Sequence, residues 1–122
     1  MPLSHYFTKY LPAIDAEMRQ VVSPPQRDAT LDVFYGMLHY HLGWVDAEFK
    51  PALSDSGKRL RPILTLLTCE AAGGDFTSAL PAAASIELLH NFSLIHDDIE
   101  DGDMTRRGRA TLWTIWGKPQ AI

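Results

Sequence analysis

The stretch that decides the fold is ELLHNFSLIHDDIED, residues 87–101. Its first half is mostly apolar, and its second half is a run of carboxylates. Upstream, the chain from Leu80 is rich in Ala and Leu, which are strong helix formers. The pattern predicts one long helix over about 80–101, ended by Gly102. The acidic residues are therefore expected to emerge from the end of a largely buried helix.

Apolar residues recur at helical spacing through most of the rest of the chain. A first helix is predicted up to Ser23-Pro24-Pro25, with Pro12 either in its first turns or breaking it. Asp28 is expected to cap a second helix, and a third begins near Arg61-Pro62 and ends at Gly73-Gly74. The apolar face of the first helix consists of Tyr6, Tyr10, Ile14, Met18 and Val21.

No stretch shows the alternation and β-branched enrichment of a strand, although residues 110–116 are ambiguous by their period. The sequence therefore predicts an all-α protein.

The composition excludes several classes of protein. With 122 residues and 46% hydrophobic content, the chain suits one modest folded domain rather than two domains or a disordered segment. A single cysteine forms no intramolecular disulfide and fits a reducing compartment. No apolar run reaches the ~18 residues of a membrane span, and the N-terminus lacks a secretory signal pattern. The net charge of −4 argues against nucleic-acid binding.

The charges are sorted into blocks, of which the acidic block is residues 97–103. Asp97 and Asp101 lie four residues apart, so on a helix they share a face and repel each other. They also lie near the helix C-terminus, where the helix dipole disfavours anions. A bound cation would remove this conflict, and carboxylate oxygens without clustered His or Cys favour Mg²⁺ or Mn²⁺. The alternative is a solvated acidic helix end. A calcium loop does not fit, because Ile99 and Gly108 would fall on ligand positions.

Two basic blocks accompany the acids. Lys58, Arg59 and Arg61 lie at the predicted start of the third helix, where cations are unfavourable unless an anion binds. Arg106, Arg107 and Arg109 follow the acidic block. The alternatives are a solvent-facing basic loop and surface pairing with the acids, which is worth at most ~1 kcal/mol per exposed pair. Taken together, the three blocks suit an enzyme that handles diphosphates.

Three motifs, in this order, resemble the trans-prenyltransferases of the polyprenyl synthetase family, and geranylgeranyl diphosphate synthases in particular. They are residues 57–62 (GKRLRP), residues 87–101 with the Asp-Asp-x-x-Asp box, and residues 106–108 (RRG). The resemblance is strong over about Gly57–Ile122. It implies the N-terminal part of an all-α isoprenoid-synthase bundle, usually homodimeric, and a cytoplasmic enzyme. Such an enzyme joins an allylic diphosphate to isopentenyl diphosphate with the help of Mg²⁺.

The resemblance also implies roles for individual residues. Asp97 and Asp101 would be the Mg²⁺ ligands, supported by Asp98, and Arg106 would contact the allylic diphosphate. The isopentenyl diphosphate site would consist of Lys58, Arg61, His90 and Arg107. Without the motif, a satisfied core histidine would be the favoured interpretation of His90.

The same resemblance suggests what sets the product length. In this family the residues four and five before the first Asp form the floor of the chain pocket, and here they are Ser93 and Phe92. A bulky Phe92 with a small Ser93 resembles the C20 synthases. The alternative is that Phe92 is ordinary core.

The chain departs from the family in one respect. The downstream second aspartate-rich motif is absent, so residues 1–122 are expected to form a single incomplete domain that is inactive by itself. A piece of a longer synthase, a short natural protein and a small subunit that needs a partner all remain open. The rival function is a non-catalytic diphosphate- or Mg²⁺-binding fragment or regulatory small subunit.

Overall fold

The computed structural model describes residues 2–26 and 28–122. Over these residues the protein is mostly helical with very little strand, which confirms the predicted all-α class. The helices are α1 (Leu3–Val21), α2 (Ala29–His41), α3 (Leu60–Ala71), α4 (Leu80–Asp101), α5 (Leu112–Trp116) and α6 (Lys118–Ala121), with a 3₁₀ turn (Phe76–Ala79) before α4. A two-residue antiparallel pair, β1 (Thr105–Arg106) and β2 (Arg109–Ala110), lies within the region predicted to lack strands.

The ends of the helices follow the capping residues in the sequence. The Asp28 carboxylate accepts a hydrogen bond from the Thr30 amide at 2.9 Å and starts α2. Gly73 takes φ 87° after α3, and the amides of Gly73 and Gly74 donate to the carbonyls of Glu70 and Cys69, both at 2.9 Å. This pair of bonds is a Schellman motif. The predicted range of α4 is confirmed, with Gly102 (φ 68°) directly after its last residue.

The expectation for Pro12 was wrong. Pro12 lies in the middle of α1, which continues through it. An internal proline removes one hydrogen bond and costs about 3 kcal/mol. On either side of it, Tyr10, Ile14 and Met18 are at most 1% exposed, and burial stabilises each such side chain by roughly 1.5–3 kcal/mol. Packing of the apolar face therefore outweighs the backbone defect.

The chain divides into two compact units. The first consists of α1 and Lys58–Leu89, and the second of Val22–Gly57 and His90–Ile122. The core of the first unit contains α1 together with Ile63 and Leu66 of α3. The ring of Tyr10 lies 5.3 Å from that of Phe76, and Lys9 forms an ion pair with Glu70 at 2.6 Å. These contacts hold α1, α3 and the 3₁₀ turn together.

The core of the second unit forms around Met37, Tyr40, Leu112 and Ala121. Aromatic and aliphatic side chains pack against these residues: Val45, Phe49, Ile95, Ile99, Trp113 and Trp116. The second half of α4 thus faces apolar neighbours up to the acidic block. This packing fixes the direction in which the acidic end of α4 projects.

Among the described residues, none of the helices combines the length and the apolar character needed to cross a bilayer.

Candidate functional site

The acidic end of α4 presents its carboxylates in two directions. Asp97 and Asp101 are both exposed and lie one turn apart on the same side of the helix. Asp98 is only 2% exposed, because the next position is rotated by about 100° toward the protein. The sequence grouped the three aspartates, whereas the structure separates two outward carboxylates from one buried carboxylate.

Asp98 holds Arg106. The Nε of Arg106 donates to both carboxylate oxygens of Asp98 at 2.9 Å, and its Nη2 donates to Oδ1 at 2.7 Å. The hydrogen bond to Asp98 is the main reason why the pKa of Arg106 lies above its ordinary value, and the charges of Asp103 and Asp97 add to it. The pair leaves Nη1 of Arg106 outside its hydrogen bonds. Asp98 therefore positions an arginine close enough to the outward Asp97 for their charges to interact.

Arg107 lies in the tight turn between β1 and β2. Arg106 and Arg109 face each other across the pair, so the turn consists of Arg107 and Gly108. Both have positive φ, 51° and 76°, as in a type I′ hairpin turn. Gly adopts this conformation freely, but a residue with a Cβ pays a steric penalty there. Strain of this kind is concentrated at functional positions.

Arg109 anchors the other side of the hairpin. Its guanidinium donates to the backbone carbonyls of Val45, at 3.1 Å, and Tyr40. Its Cζ also lies 3.9 Å from the centre of the Tyr40 ring, and the Tyr40 hydroxyl donates to the carbonyl of Ala110 at 2.7 Å. Arg109 thus ties the hairpin to α2. It is the third member of the basic block, but its contacts are structural.

A polar cleft opens where the hairpin, α2 and α4 meet. Three arginines and two carboxylates line it, together with His41. The lining residues are Tyr40, His41, Asp55, Asp98, Arg106, Arg107, Arg109, Ala110, Thr111 and Leu112. The three arginines are partly buried, and they outnumber the two carboxylates. This excess of positive charge suits an anion with several oxygens.

His41 lines this cleft, although the sequence did not indicate a functional role for it. Its Nε2 lies 3.0 Å from Oδ1 of Asn91, a residue that is 4% exposed. Burial, reinforced by the positive charge of Arg107, lowers the pKa of His41 to about 4. His41 is therefore a neutral histidine at physiological pH. Only the fold could show this, because a histidine near the end of a predicted amphipathic helix carries no distinguishing signal.

The outward carboxylates fit a hard divalent cation in part. In the described residues, 2–26 and 28–122, no cluster of three or more His, Cys, Asp or Glu side chains is arranged to hold a metal ion. Mg²⁺, however, binds through one or two carboxylates and completes its shell with water and phosphate oxygens. Asp97 and Asp101 supply that number of hard oxygen ligands. The donor set fits Mg²⁺ that arrives with a phosphate-bearing ligand.

The first basic block, Lys58, Arg59 and Arg61, lies in the first unit, and its members have two different environments. Arg59 is 8% exposed and forms an ion pair with Asp15 of α1, with its backbone in the left-handed region (φ 55°). Lys58 and Arg61 are exposed on either side of it. The middle cation thus anchors α1, while the two predicted substrate contacts are accessible to solvent.

The remaining predicted residues lie on α4. His90 is partly buried, two turns before Asp97. Ser93 is also partly buried, and its hydroxyl donates to the carbonyl of His90 at 2.6 Å. Phe92 is 52% exposed, and its ring lies 4.4 Å from that of His96. Phe92 is thus not part of the buried core within the residues described, and its role in setting the product length stays a prediction.

Phe92 lines a second, mainly apolar cleft. This cleft is formed by α2, α4 and the end of the chain, and its lining is Phe34, Met37, Leu38, Phe92, Ile95, His96, Leu112, Gln120, Ala121 and Ile122. An exposed aromatic ring in an apolar cleft on the acidic helix is available for contact with an apolar chain.

The chain belongs to the polyprenyl synthetase family. The model of that family, described as polyprenyl synthetase, matches residues 43–122. The structure of a polyprenyl synthetase from Streptomyces coelicolor A3(2) superposes with a TM-score of 0.74 and 39% identity, over 98% of this chain and 32% of that one. This likeness places the helices in the all-α isoprenoid synthase fold.

Two relatives from Mycobacterium tuberculosis are similar in sequence. A (2E,6E)-farnesyl diphosphate synthase is 44% identical over 109 residues, which is 89% of this chain and 26% of the relative. A geranylgeranyl diphosphate synthase is 50% identical over 86 residues, 70% of this chain and 25% of the relative. The chain therefore spans about a quarter of the length of these relatives.

Proposed function

We propose that this chain is the N-terminal part of a trans-prenyltransferase that joins isopentenyl diphosphate to an allylic diphosphate. The observation that carries the proposal is the end of α4. There, two outward carboxylates lie one turn apart, and the buried Asp98 holds an arginine whose charge interacts with the first of them, Asp97. Both substrates carry a diphosphate group, so their binding requires several positive charges close together. The diphosphate that leaves the allylic substrate gains negative charge in the reaction and needs this stabilisation more than the other.

Each residue has a proposed task. Asp97 and Asp101 hold Mg²⁺, and Asp98 orients Arg106 toward the allylic diphosphate. Lys58, Arg61, His90 and Arg107 bind isopentenyl diphosphate. When bound, Mg²⁺ supplies neutralisation of the charge that develops on the leaving diphosphate. Fixed guanidinium groups stabilise the same charge without reorganising during the reaction.

We further propose that the product is about C20 and that Phe92 and Ser93 limit its length. Synthases named for farnesyl and for geranylgeranyl products are both among the similar proteins, so their names do not choose between the two lengths. The proposal is supported by the position of Phe92, which lines the apolar cleft, and by the small side chain of Ser93 one residue further on.

The complete enzyme is proposed to be a cytoplasmic homodimer, which rests on the family resemblance. Residues 1–122 are proposed to form one incomplete domain, because the chain spans only a quarter of its relatives. We expect the isolated chain to bind diphosphate but not to transfer prenyl groups. Prenyl transfer by the isolated chain would contradict this assignment.

The test is incorporation of radiolabelled isopentenyl diphosphate by the complete synthase, with Mg²⁺ and an allylic diphosphate. Asp97→Asn and Asp101→Asn are each expected to lower kcat by about 10²–10³-fold, the usual loss when charge stabilisation of a transition state is removed. Glu100→Gln is the matched control, because Glu100 is an exposed acid between Asp97 and Asp101 and has no task in the proposal.

The same assay identifies the rival function. Equal activity in all three variants would refute the proposed role of the box. Binding of diphosphate and metal by the complete protein, without any product, would instead indicate a non-catalytic binding or regulatory subunit.

A further inference from the structure

Gly57 lies against the guanidinium of Arg107. A Cβ on Gly57 would be 2.9 Å from Nη2 of Arg107, 3.3 Å from its Cζ and 3.7 Å from its Nε. The planar group thus lies on the bare α-carbon of the glycine. Gly57 also has φ 86°, and its amide donates to Oδ1 of Asp55 at 2.8 Å, which fixes the loop at this point.

The backbone of Arg107 has little freedom to respond. The two residues that flank its turn are both anchored, Arg106 by Asp98 and Arg109 by the carbonyls of Tyr40 and Val45. Arg107 itself has φ 51°, a conformation that its surroundings must impose. The starting direction of its side chain is therefore set by the hairpin, and the position of its guanidinium is set by what the loop at Gly57 leaves open.

We infer that Gly57 is a positioning residue for Arg107: the absence of a side chain at Gly57 lets the Arg107 guanidinium lie in the polar cleft where it contacts a diphosphate. This inference rests on the proposed function, in which Arg107 binds isopentenyl diphosphate. It assigns to the glycine of the GKRLRP motif a steric role toward a residue 50 positions further along the chain.

The inference separates folding from binding. In Gly57→Ala, the atoms that must move are at the end of the flexible Arg107 side chain. Displacement of the guanidinium relieves the clash, so the clash itself lowers the free energy of unfolding only slightly. The strain from the positive φ remains. Gly73 provides a matched control, because it has φ 87° and nothing lies within 4 Å of its Cβ position. Gly73→Ala has the same backbone strain without the steric conflict.

The first experiment follows the guanidinium directly in the 122-residue chain. In NMR spectra of ¹⁵N-labelled protein, the Nε–Hε signal of Arg107 is identified by its loss in Arg107→Lys. Gly57→Ala is expected to shift this signal, and Gly73→Ala is expected to leave it in place. An unchanged signal in folded Gly57→Ala would overturn the inference, because the guanidinium would not have moved.

The second experiment measures calorimetric binding of isopentenyl diphosphate to the same chain. Gly57→Ala is expected to weaken binding about tenfold or more, the usual effect of losing a hydrogen bond to a charged group, while Gly73→Ala binds normally. In an Arg107→Ala background, Gly57→Ala is expected to have no further effect. Additive losses in the double variant would overturn the positioning role.

The two failures are distinguishable. If the unaltered chain and all variants fail to bind isopentenyl diphosphate, the proposed substrate site is wrong, and the functional part of the inference is refuted with it. If the unaltered chain binds and Gly57→Ala binds equally well, only the inference about Gly57 is refuted.

Discussion

His41 makes the stability of the protein depend on pH. Its pKa is lowered from the ordinary 6.5 to about 4, mainly because burial disfavours the charged ring and next because Arg107 lies nearby. The carboxylate of Asp98 and the bond to Asn91 oppose the shift, while Arg106 adds to it. The folded state therefore binds this proton more weakly than the unfolded state does.

This difference in proton binding sets the direction and the size of the pH effect on stability. Stability is full above about pH 6.5, where the ring is neutral in both states, and falls as the pH approaches 4 because the unfolded chain takes up the proton first. A lowering of the pKa by about 2.5 corresponds to at most about 3.4 kcal/mol at 1.36 kcal/mol per unit. By pH 5, about 2 kcal/mol of this is already lost.

The assay is urea unfolding of the 122-residue chain between pH 8 and pH 5, followed by tryptophan fluorescence. His41→Gln removes the titrating group and keeps a side chain that can bond to Asn91. The difference in unfolding free energy between this variant and the unaltered protein is expected to change by about 2 kcal/mol over that range. Contributions from all other groups cancel in this comparison.

The exposed His5→Gln is the matched control, since it removes a histidine and leaves His41 in place. In this variant, the free energy of unfolding is expected to change with pH as it does in the unaltered protein. Parallel pH profiles for His41→Gln and the unaltered protein would refute the account of His41 as a buried neutral ring.

Three further predictions concern contacts in the second unit. Asp98→Asn is expected to destabilise the chain by about 2–3 kcal/mol, because it leaves Arg106 without its charged partner; a loss below about 0.5 kcal/mol in urea unfolding would contradict the structure. Gly36→Ala is expected to destabilise α2 by about 1–2 kcal/mol, because a Cβ there would lie 2.7 Å from the ring of Phe49. Without that contact, the change would stabilise the helix by about 1 kcal/mol. A lower Tm therefore supports the contact, and a higher Tm contradicts it. Phe92→Ala is expected to lengthen the products of the complete synthase, as measured by chromatography of the released alcohols, and an unchanged spectrum would refute its role as a floor.

The structure changes how the motifs are interpreted. In the sequence, the acidic box and the two basic blocks form three groups of charged residues, and each group suggests a single function. In the fold, each block divides into residues that face outward and residues that hold the architecture. Asp98, Arg59 and Arg109 each form buried or partly buried contacts, whereas Asp97 and Asp101 remain exposed. Substituting all members of a block would therefore confuse loss of folding with loss of binding.

The sequence by itself determined the helical class, most helix ends and the location of the acidic box. These features depend on local physics: the spacing of apolar residues, the cap at Asp28 and the glycines after α3 and α4. Local reasoning was wrong about Pro12, where the packing of distant side chains outweighs the backbone preference.

Only the tertiary structure decided the direction and partner of each charged side chain. Whether an aspartate faces solvent or an arginine depends on the rotation of α4 against its neighbours, which local sequence does not encode. The placement of Arg107 over Gly57 and the neutral state of His41 arise between segments far apart in the chain. Burial and long-range contact set both, so they become visible only once the chain is folded.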